Sequence, residues 1–394
     1  MKIALDVQSL FEEKKTGIGW TVKMMTENLL KDTQNDFYLN YFSFRNHAEK
    51  QKRLACYQQD NTTIACCKWM PLGIYRRIWK WLPLPYSMFF QEKPDITQFF
   101  NYVIPPGAKG IKSVYIYDMV YKACPETMED VTRAYMEKEM ETSCRRADLI
   151  ITISEFSKQE IVKYMHVEPK KIAVVPCGID HSVFHDKIKE EAVTKMKEKY
   201  HLAEPYFLYL GTLEPRKNIP VIIRAYAELR KRKGDKIPKL VLAGKCGWGY
   251  DAIFALIQEL KLEEMVLFPG YVEETDKPAM LRGAVCFLFP SLYEGFGIPP
   301  LEAMACGTPV IVSDAASLPE VVGDGGIQVS YDDYEAISNY MELLSENSVY
   351  REEWCKAGVE QANAFAWDKS AKRLLTVYDK ILKNVEQLDK AKVL

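Results

Sequence analysis

The chain has 394 residues, 48% of them hydrophobic and 27% charged, with a formal net charge of −2. That length suits two ordinary domains, the apolar content excludes a disordered chain, and the balanced charge argues against nucleic acid as a partner. The ten cysteines lack metal-ligand spacing and make no C-x-x-C pair, which suits reduced core thiols in a cytosolic protein.

In chain order, MKIALDVQSLF opens with an apolar run that Asp6 interrupts, too short for a secretory leader. No run of eighteen apolar residues predicts a transmembrane helix. Residues 3–7 read as a strand, and Gly17 and Gly19 punctuate the loop before a helix over 20–31. Further strands are predicted at 37–42, 113–117, 149–153 and 172–175, so residues 1–177 form a parallel α/β domain. Within it, residues 68–93 interleave Trp69, Trp79 and Trp81 with Lys68, Arg76, Arg77 and Lys80. Aromatic and basic residues together suit a membrane interface carrying anionic lipid; the alternative is a partly buried helix with its cations in solvent. Residues 178–204, rich in Lys and Glu, read as a linker with a short helix. A second α/β domain covers 205–365, with strands at 206–210, 239–243, 266–268, 285–289, 309–312 and 326–329.

Three strand tips in the second domain carry the chemistry. The first, YFLYLGTLEPRKNIP, ends a strand at Gly211 and Thr212, whose amides can face a ligand. Arg216 then offers a planar fork for a phosphate and Lys217 a point charge, with Asn218 placed to cap the next helix. The second, KLVLAGK, sets Gly244 and Lys245 at a strand end. The third, PSLYEGFGIPPLEAMACGTPVIVSD, places Glu294 and Glu302 on either side of a loop holding Gly295 and Gly297. Pro299 and Pro300 suit a helix start and Gly307 its end. Free amides at a helix start favour an anion, and two carboxylates can hold hydroxyl groups at opposite ends of one ligand. A nucleotide sugar has that layout. The plainer alternatives are a solvated loop for Glu294, Arg216 and Lys217, and a helix-dipole partner in the first turn for Glu302.

GTLEPRKN, LAGKCGWG, FPGYV and the paired-glutamate stretch resemble the retaining glycosyltransferases of family 4, bacterial mannosyltransferases among them. The match is dense over 206–325. It is traceable in TGIGW, DLIITISEFSKQEI, KIAVVPCGID and FAWDKSAKRLLTVYDKI, so it spans nearly the whole chain. The resemblance implies the GT-B fold: two Rossmann-like doubly wound domains facing across a cleft, with the closing segment 366–394 crossing back to the first domain.

It also implies roles. Arg216 and Lys217 would hold the donor diphosphate, with amides near Gly211 and Thr212, and Glu294 would accept from the sugar hydroxyls. Gly295, Phe296 and Gly297 would lie against sugar and phosphate, Glu302 would bind the ribose, and Tyr271 and Val272 would sit near the base. Lys245 beside Gly244 would add charge, and Gly17 and Gly19 would form a loop near the diphosphate and acceptor. The reaction expected is transfer of a hexose such as mannose from a nucleoside-diphosphate sugar to a glycan or lipid-linked acceptor, with retention. The setting expected is surface polysaccharide assembly in the cytoplasm, with membrane contact through 68–93. No D-x-D triplet occurs, so neither metal nor cofactor is expected.

One departure stands out. The family's usual His-Asp is Tyr117-Asp118 here, and His47, His166, His181, His185 and His201 all lie elsewhere. Tyr117 is expected to line the acceptor side and donate one hydrogen bond to sugar or acceptor. Two other readings remain: a nucleotide-sugar epimerase of the same fold, and a non-catalytic partner that binds nucleotide sugar.

Overall fold

A computed structural model describes residues 1–12, 17–79, 81–128, 130–202 and 205–393. Thr16, Lys80 and residues 203–204 of the expected linker therefore lie outside the described residues. The chain divides into two compact units, one of Met1–Gly178 with Trp367–Leu394, the other of Ile179–Ala366.

The first unit holds seven strands: β1 (Lys2–Asp6), β2 (Asp36–Phe42), β3 (Thr62–Cys67), β4 (Ile96–Phe99), β5 (Ile111–Tyr115), β6 (Leu149–Thr152) and β7 (Ile172–Val174). All pair in parallel in the order β3-β2-β1-β4-β5-β6-β7. Central strands such as ITQF and LIIT are buried throughout, as a parallel sheet covered on both faces requires. The closing helix Trp367–Val393 belongs to this unit. It packs against helix Gly17–Leu29, its Ser370 Oγ donates to the Pro176 carbonyl at 2.7 Å, and its Tyr378 hydroxyl donates to Gln98 Oε1 at 2.5 Å. Gly17 and Gly19, expected in a loop, are in the first turn of helix Gly17–Leu29. The apolar spacing of Ile18, Val22, Met25 and Leu29 carries the helical period back that far.

The second unit holds six strands: β8 (Tyr206–Leu210), β9 (Lys239–Ala243), β10 (Val266–Leu267), β11 (Cys286–Phe289), β12 (Val310–Ser313) and β13 (Ile327–Val329). These too are parallel, in the order β10-β9-β8-β11-β12-β13. Helix Ile219–Lys233 shows how the sequence builds the crossovers. Ile219, Ile222, Ile223, Tyr226 and Leu229 recur at helical spacing and are buried, four basic residues meet the dipole in the last turn, and Gly234 at φ 73° ends it. The segment expected as a linker joins this unit. Ile179 bridges Ala366, and helix Glu190–Tyr200 buries Val193 and Met196 while packing on helix Lys277–Arg282. Its lysines and glutamates are the solvent face of an amphipathic helix, not the signature of a free connector.

Candidate functional site

In an open α/β sheet, ligands bind at the carboxyl ends of the strands where strand order reverses. In the second unit that reversal falls between β8 and β11, since β8 pairs with both β9 and β11. The loops leaving these strands carry two of the charged tips that the sequence singles out, and the fold brings them together. Leu292 N–H donates to the Arg216 carbonyl at 2.9 Å, joining one loop to the other. Asn218 does not cap the following helix with its side chain. It turns the chain at φ 54° and donates its amide to the carbonyls of Pro290 at 3.2 Å and Tyr331 at 2.6 Å.

The result is a compact charge cluster. Lys217 Nζ lies 2.5 Å from Glu294 Oε1, and Arg216 Nη1 lies 2.9 Å from the same oxygen. Arg216 also donates to the Tyr293 carbonyl and to Glu214 Oε1, each at 2.7 Å. Lys217 is only 9% exposed and lies 4.8 Å from the centre of the Phe289 ring. The plainer alternative, a solvated loop, therefore does not hold for these cations. The Pro215–Lys217 turn folds inward because its charges find a carboxylate there. Burial lowers the Lys217 pKa against the pull of Glu294. Burial also opposes ionisation of Glu294, but Lys217 and then Arg216 outweigh it and hold the carboxyl below its ordinary range.

The remaining expected residues separate into exposed groups and structural ones. Gly211 N–H donates to the Ala243 carbonyl at 3.0 Å, so it is committed to the sheet and does not face a ligand. Thr212 is exposed, and its carbonyl accepts from the Tyr209 hydroxyl at 2.8 Å. Gly244 sits at φ 135°, where an added Cβ would lie 1.9 Å from the Gly211 carbonyl oxygen, so these two strand tips touch through main chain. Lys245 is exposed, with its ammonium 4.9 Å from the Tyr271 ring centre. Tyr271 is 53% exposed and Val272 only 2%, so a base could meet the tyrosine ring but not the valine side chain.

The paired-glutamate loop is equally divided. Gly297 precedes helix Ile298–Ala305 at φ 121°. Pro299 and Pro300 occupy its second and third positions, so two of the early helix amides expected to hold an anion do not exist. Phe296 is buried, its ring 5.8 Å from that of Phe365, so it packs inside the unit and does not lie against a sugar. Gly295 is buried beside it. Ser317 Oγ lies 2.8 Å from the carbonyls of both Glu294 and Phe296 and fixes the loop from beneath. Glu302 lies in the second turn, past the first-turn dipole position. Burial pushes its carboxyl up to about 7, with Lys277 pulling it back and Glu274 adding to the rise. Among the described residues its carboxylate makes no ion pair.

Tyr117, in the first unit, follows β5 and donates its hydroxyl to the Phe100 carbonyl at 2.8 Å, with its ring stacked on Tyr115 at 5.4 Å. Burial, with Cys177 next, pushes its pKa well above the ordinary value. The single phenolic proton is engaged by main chain, so the expected donation to sugar or acceptor is not available. Asp118 Oδ1 accepts from the Val120 amide at 3.1 Å. The sequence reading missed Glu214, Ser317 and the Tyr293 carbonyl. Only Glu214, two residues before Arg216, left a local signal.

Residues 192–361 match the family model of glycosyl transferases group 1, and residues 40–183 match that of glycosyltransferase family 4. The chain is similar to the O-antigen chain mannosyltransferase B of Escherichia coli, 36% identical over 281 residues, 71% of this chain and 72% of that protein. It is also similar to the serotype-specific mannosyltransferase WbdA of Escherichia coli, 32% identical over 258 residues, 65% of this chain but 31% of that longer protein. Among solved structures it resembles Anabaena Alr3699/HepE in complex with UDP-glucose, with a TM-score of 0.69 at 17% identity over 96% of this chain and all of that one. Sucrose-phosphate synthase from Thermosynechococcus elongatus gives a TM-score of 0.71 at 19% identity, covering 98% of this chain and 100% of the other. At such identities these structures speak for the fold, the two-domain GT-B class. The relatives are transferases, which sets the epimerase reading aside. Taken with the mannosyltransferase similarity, the two consecutive family matches lead to one conclusion: this chain is a glycosyltransferase and belongs to glycosyltransferase family 4.

Proposed function

We propose that this enzyme transfers mannose, or a similar hexose, from a nucleoside-diphosphate sugar to a glycan or lipid-linked acceptor, with retention and without a divalent metal or cofactor. The mannosyltransferases among its relatives, one of them named for O-antigen chains, support the sugar and a role in surface polysaccharide assembly. The observation that carries the chemistry is the Arg216–Lys217–Glu294 cluster at the strand-order reversal.

As the anomeric carbon–oxygen bond breaks, negative charge grows on the leaving diphosphate. Arg216 and Lys217 are preorganised cations, and a fixed contact of this kind contributes about 2.7–4 kcal/mol to a developing anion. Glu294 keeps both side chains in place before the donor arrives and then accepts from the sugar hydroxyls. Glu302 accepts from the ribose, and the exposed Tyr271 ring with Lys245 lies toward the base. No enzyme carboxylate is assigned as nucleophile. The acceptor attacks from the face that the diphosphate leaves, and a diphosphate oxygen takes its proton.

Incubation with a panel of nucleotide sugars and a saccharide acceptor tests this reading. A mannosyl product whose anomeric configuration matches that of the donor, formed at undiminished rate in chelator, is expected. An inverted product refutes the retaining assignment, and complete, metal-reversible loss of activity on chelation refutes metal independence. Nucleotide binding without turnover of any donor would favour a non-catalytic partner.

A further inference from the structure

The first unit carries an apolar surface that the donor chemistry does not use. From residue 61 to residue 91 the sequence has four basic residues, Lys68, Arg76, Arg77 and Lys80, and no Asp or Glu. The fold sorts this stretch. On helix Leu72–Ile78, Gly73, Ile74 and Arg77 are exposed while Tyr75 on the opposite face is buried, followed by the buried Trp79. Trp79, expected among the interfacial tryptophans, is 7% exposed, its ring packed 5.0 Å from Tyr75. Trp81 is 90% exposed and Leu82 beside it is also exposed. Both follow the helix directly, their amides bonded back to the Ile78 carbonyl.

The exposed face continues onto the sheet edge. Phe42 at the end of β2 pairs with Cys67 at the end of β3, and Phe44 and Trp69 each follow two residues beyond their strand. Both are exposed, and Arg45 and Lys68 beside them are exposed as well. Trp69 packs 5.2 Å from Phe89, which in turn packs 4.6 Å from Tyr75 of the helix. A run of ring contacts therefore links Trp69, just past β3, to the helix, and Phe44, Trp69, Ile74, Trp81, Leu82 and Met88 are all exposed.

We propose that this face docks the enzyme on a bilayer containing anionic lipid. Charge chooses the occupant: large apolar side chains framed by Arg45, Lys68 and Arg77, with no acid in the stretch, match a negatively charged interface. Tryptophan suits the headgroup level, where one end of the ring is wet and the other apolar. The proposal rests on the transferase reading only for its setting, a lipid-linked acceptor. The binding itself is read without any nucleotide, so either can fail while the other stands.

Flotation of the full chain with vesicles of phosphatidylcholine mixed with phosphatidylglycerol, and of phosphatidylcholine alone, tests it. Binding to the mixed vesicles that weakens with salt is expected. Trp81→Ser with Leu82→Ser removes two exposed side chains and should lower partition by about tenfold or more. Arg77→Gln should lower it about fivefold. Unchanged melting curves would show that the variants are folded. Equal binding by wild type and variants, or no binding to mixed vesicles at low salt, would overturn the proposal. Self-association of the wild type that the serine variant loses would also overturn it, by assigning the face to a second copy.

Discussion

Replacing Glu302 by Gln removes a titration that folding makes unfavourable. The carboxyl moves from an ordinary 4.5 to about 7, chiefly through burial. The folded state thus holds this proton more tightly than the unfolded chain does. The corresponding stability is fully present below pH 4.5 and declines as pH rises, until it is lost above about pH 7. At 1.36 kcal/mol per unit the shift sets a ceiling of about 3 kcal/mol. Glu302 is partly exposed, and solvent reduces that figure. Glu302→Gln should therefore melt several degrees higher than wild type at pH 8 and about equally at pH 4.5. If the ionised carboxylate holds the ribose hydroxyls, affinity for a nucleotide sugar should rise with pH toward 7 in wild type, and binding near pH 6.5 should release a proton. The Gln variant should bind more weakly and without that pH slope. A nucleotide sugar is the right probe, since its esterified diphosphate does not titrate near neutrality. Calorimetric titration in buffers of different ionisation enthalpy counts the protons. Identical melting of both proteins from pH 5 to 8, or the same affinity slope in both, would refute the reasoning.

Arg216→Ala should lower turnover by about a hundredfold or more. Lys217→Ala should do the same and also lower the melting temperature, because a buried carboxylate that loses its closest partner costs about 3–5 kcal/mol; wild-type turnover in either folded variant would sink the donor assignment. Gly244→Ala drives a Cβ to within 1.9 Å of the Gly211 oxygen at φ 135°. It should destabilise the second unit by at least about 2 kcal/mol, and an unchanged melting curve would show that the two strand tips are not packed together. Tyr117→Phe should cost about 1 kcal/mol of stability and leave turnover per folded molecule unchanged. Lost turnover at full stability would return the hydroxyl to a ligand.

The strands of the second unit were legible because each is a short apolar run bounded by Gly, Pro or charge. Two strands of the first unit were not. β3, TTIACC, carries partly exposed residues and adjacent cysteines that read simply as core thiols. β4, ITQF, buries Thr97 and Gln98, whose partners are the Lys109 carbonyl and the Tyr378 hydroxyl. A buried polar side chain satisfied from that far along the chain leaves no periodic signal. The candidate site divides the same way. Arg216, Lys217 and Glu294 could be named from their strand tips, but their pairing spans 77 positions and exists only because β8 and β11 are neighbours. Phe296 and Val272 were read as contact residues from motif position, and burial assigns their side chains to the core. The expectation for Tyr117 rests on the family histidine whose place it takes, and its partner, a main-chain carbonyl, is invisible to sequence.

The helix Trp367–Val393 bears on how the protein is made. The second unit is one continuous segment, whereas the first is assembled from chain on both sides of it. As the chain leaves the ribosome, residues 1–178 emerge with Gln98 already at the centre of their sheet and no Tyr378 to meet its side-chain oxygen. Closing that contact joins positions 280 apart in sequence, a loop closure that slows folding and leaves apolar surface open meanwhile. The second unit, one uninterrupted segment, can finish first. All seven strands of the other precede residue 178, but the helix that packs against them comes last, so a chain cut before residue 367 would hold a complete second unit and a first one lacking that cover.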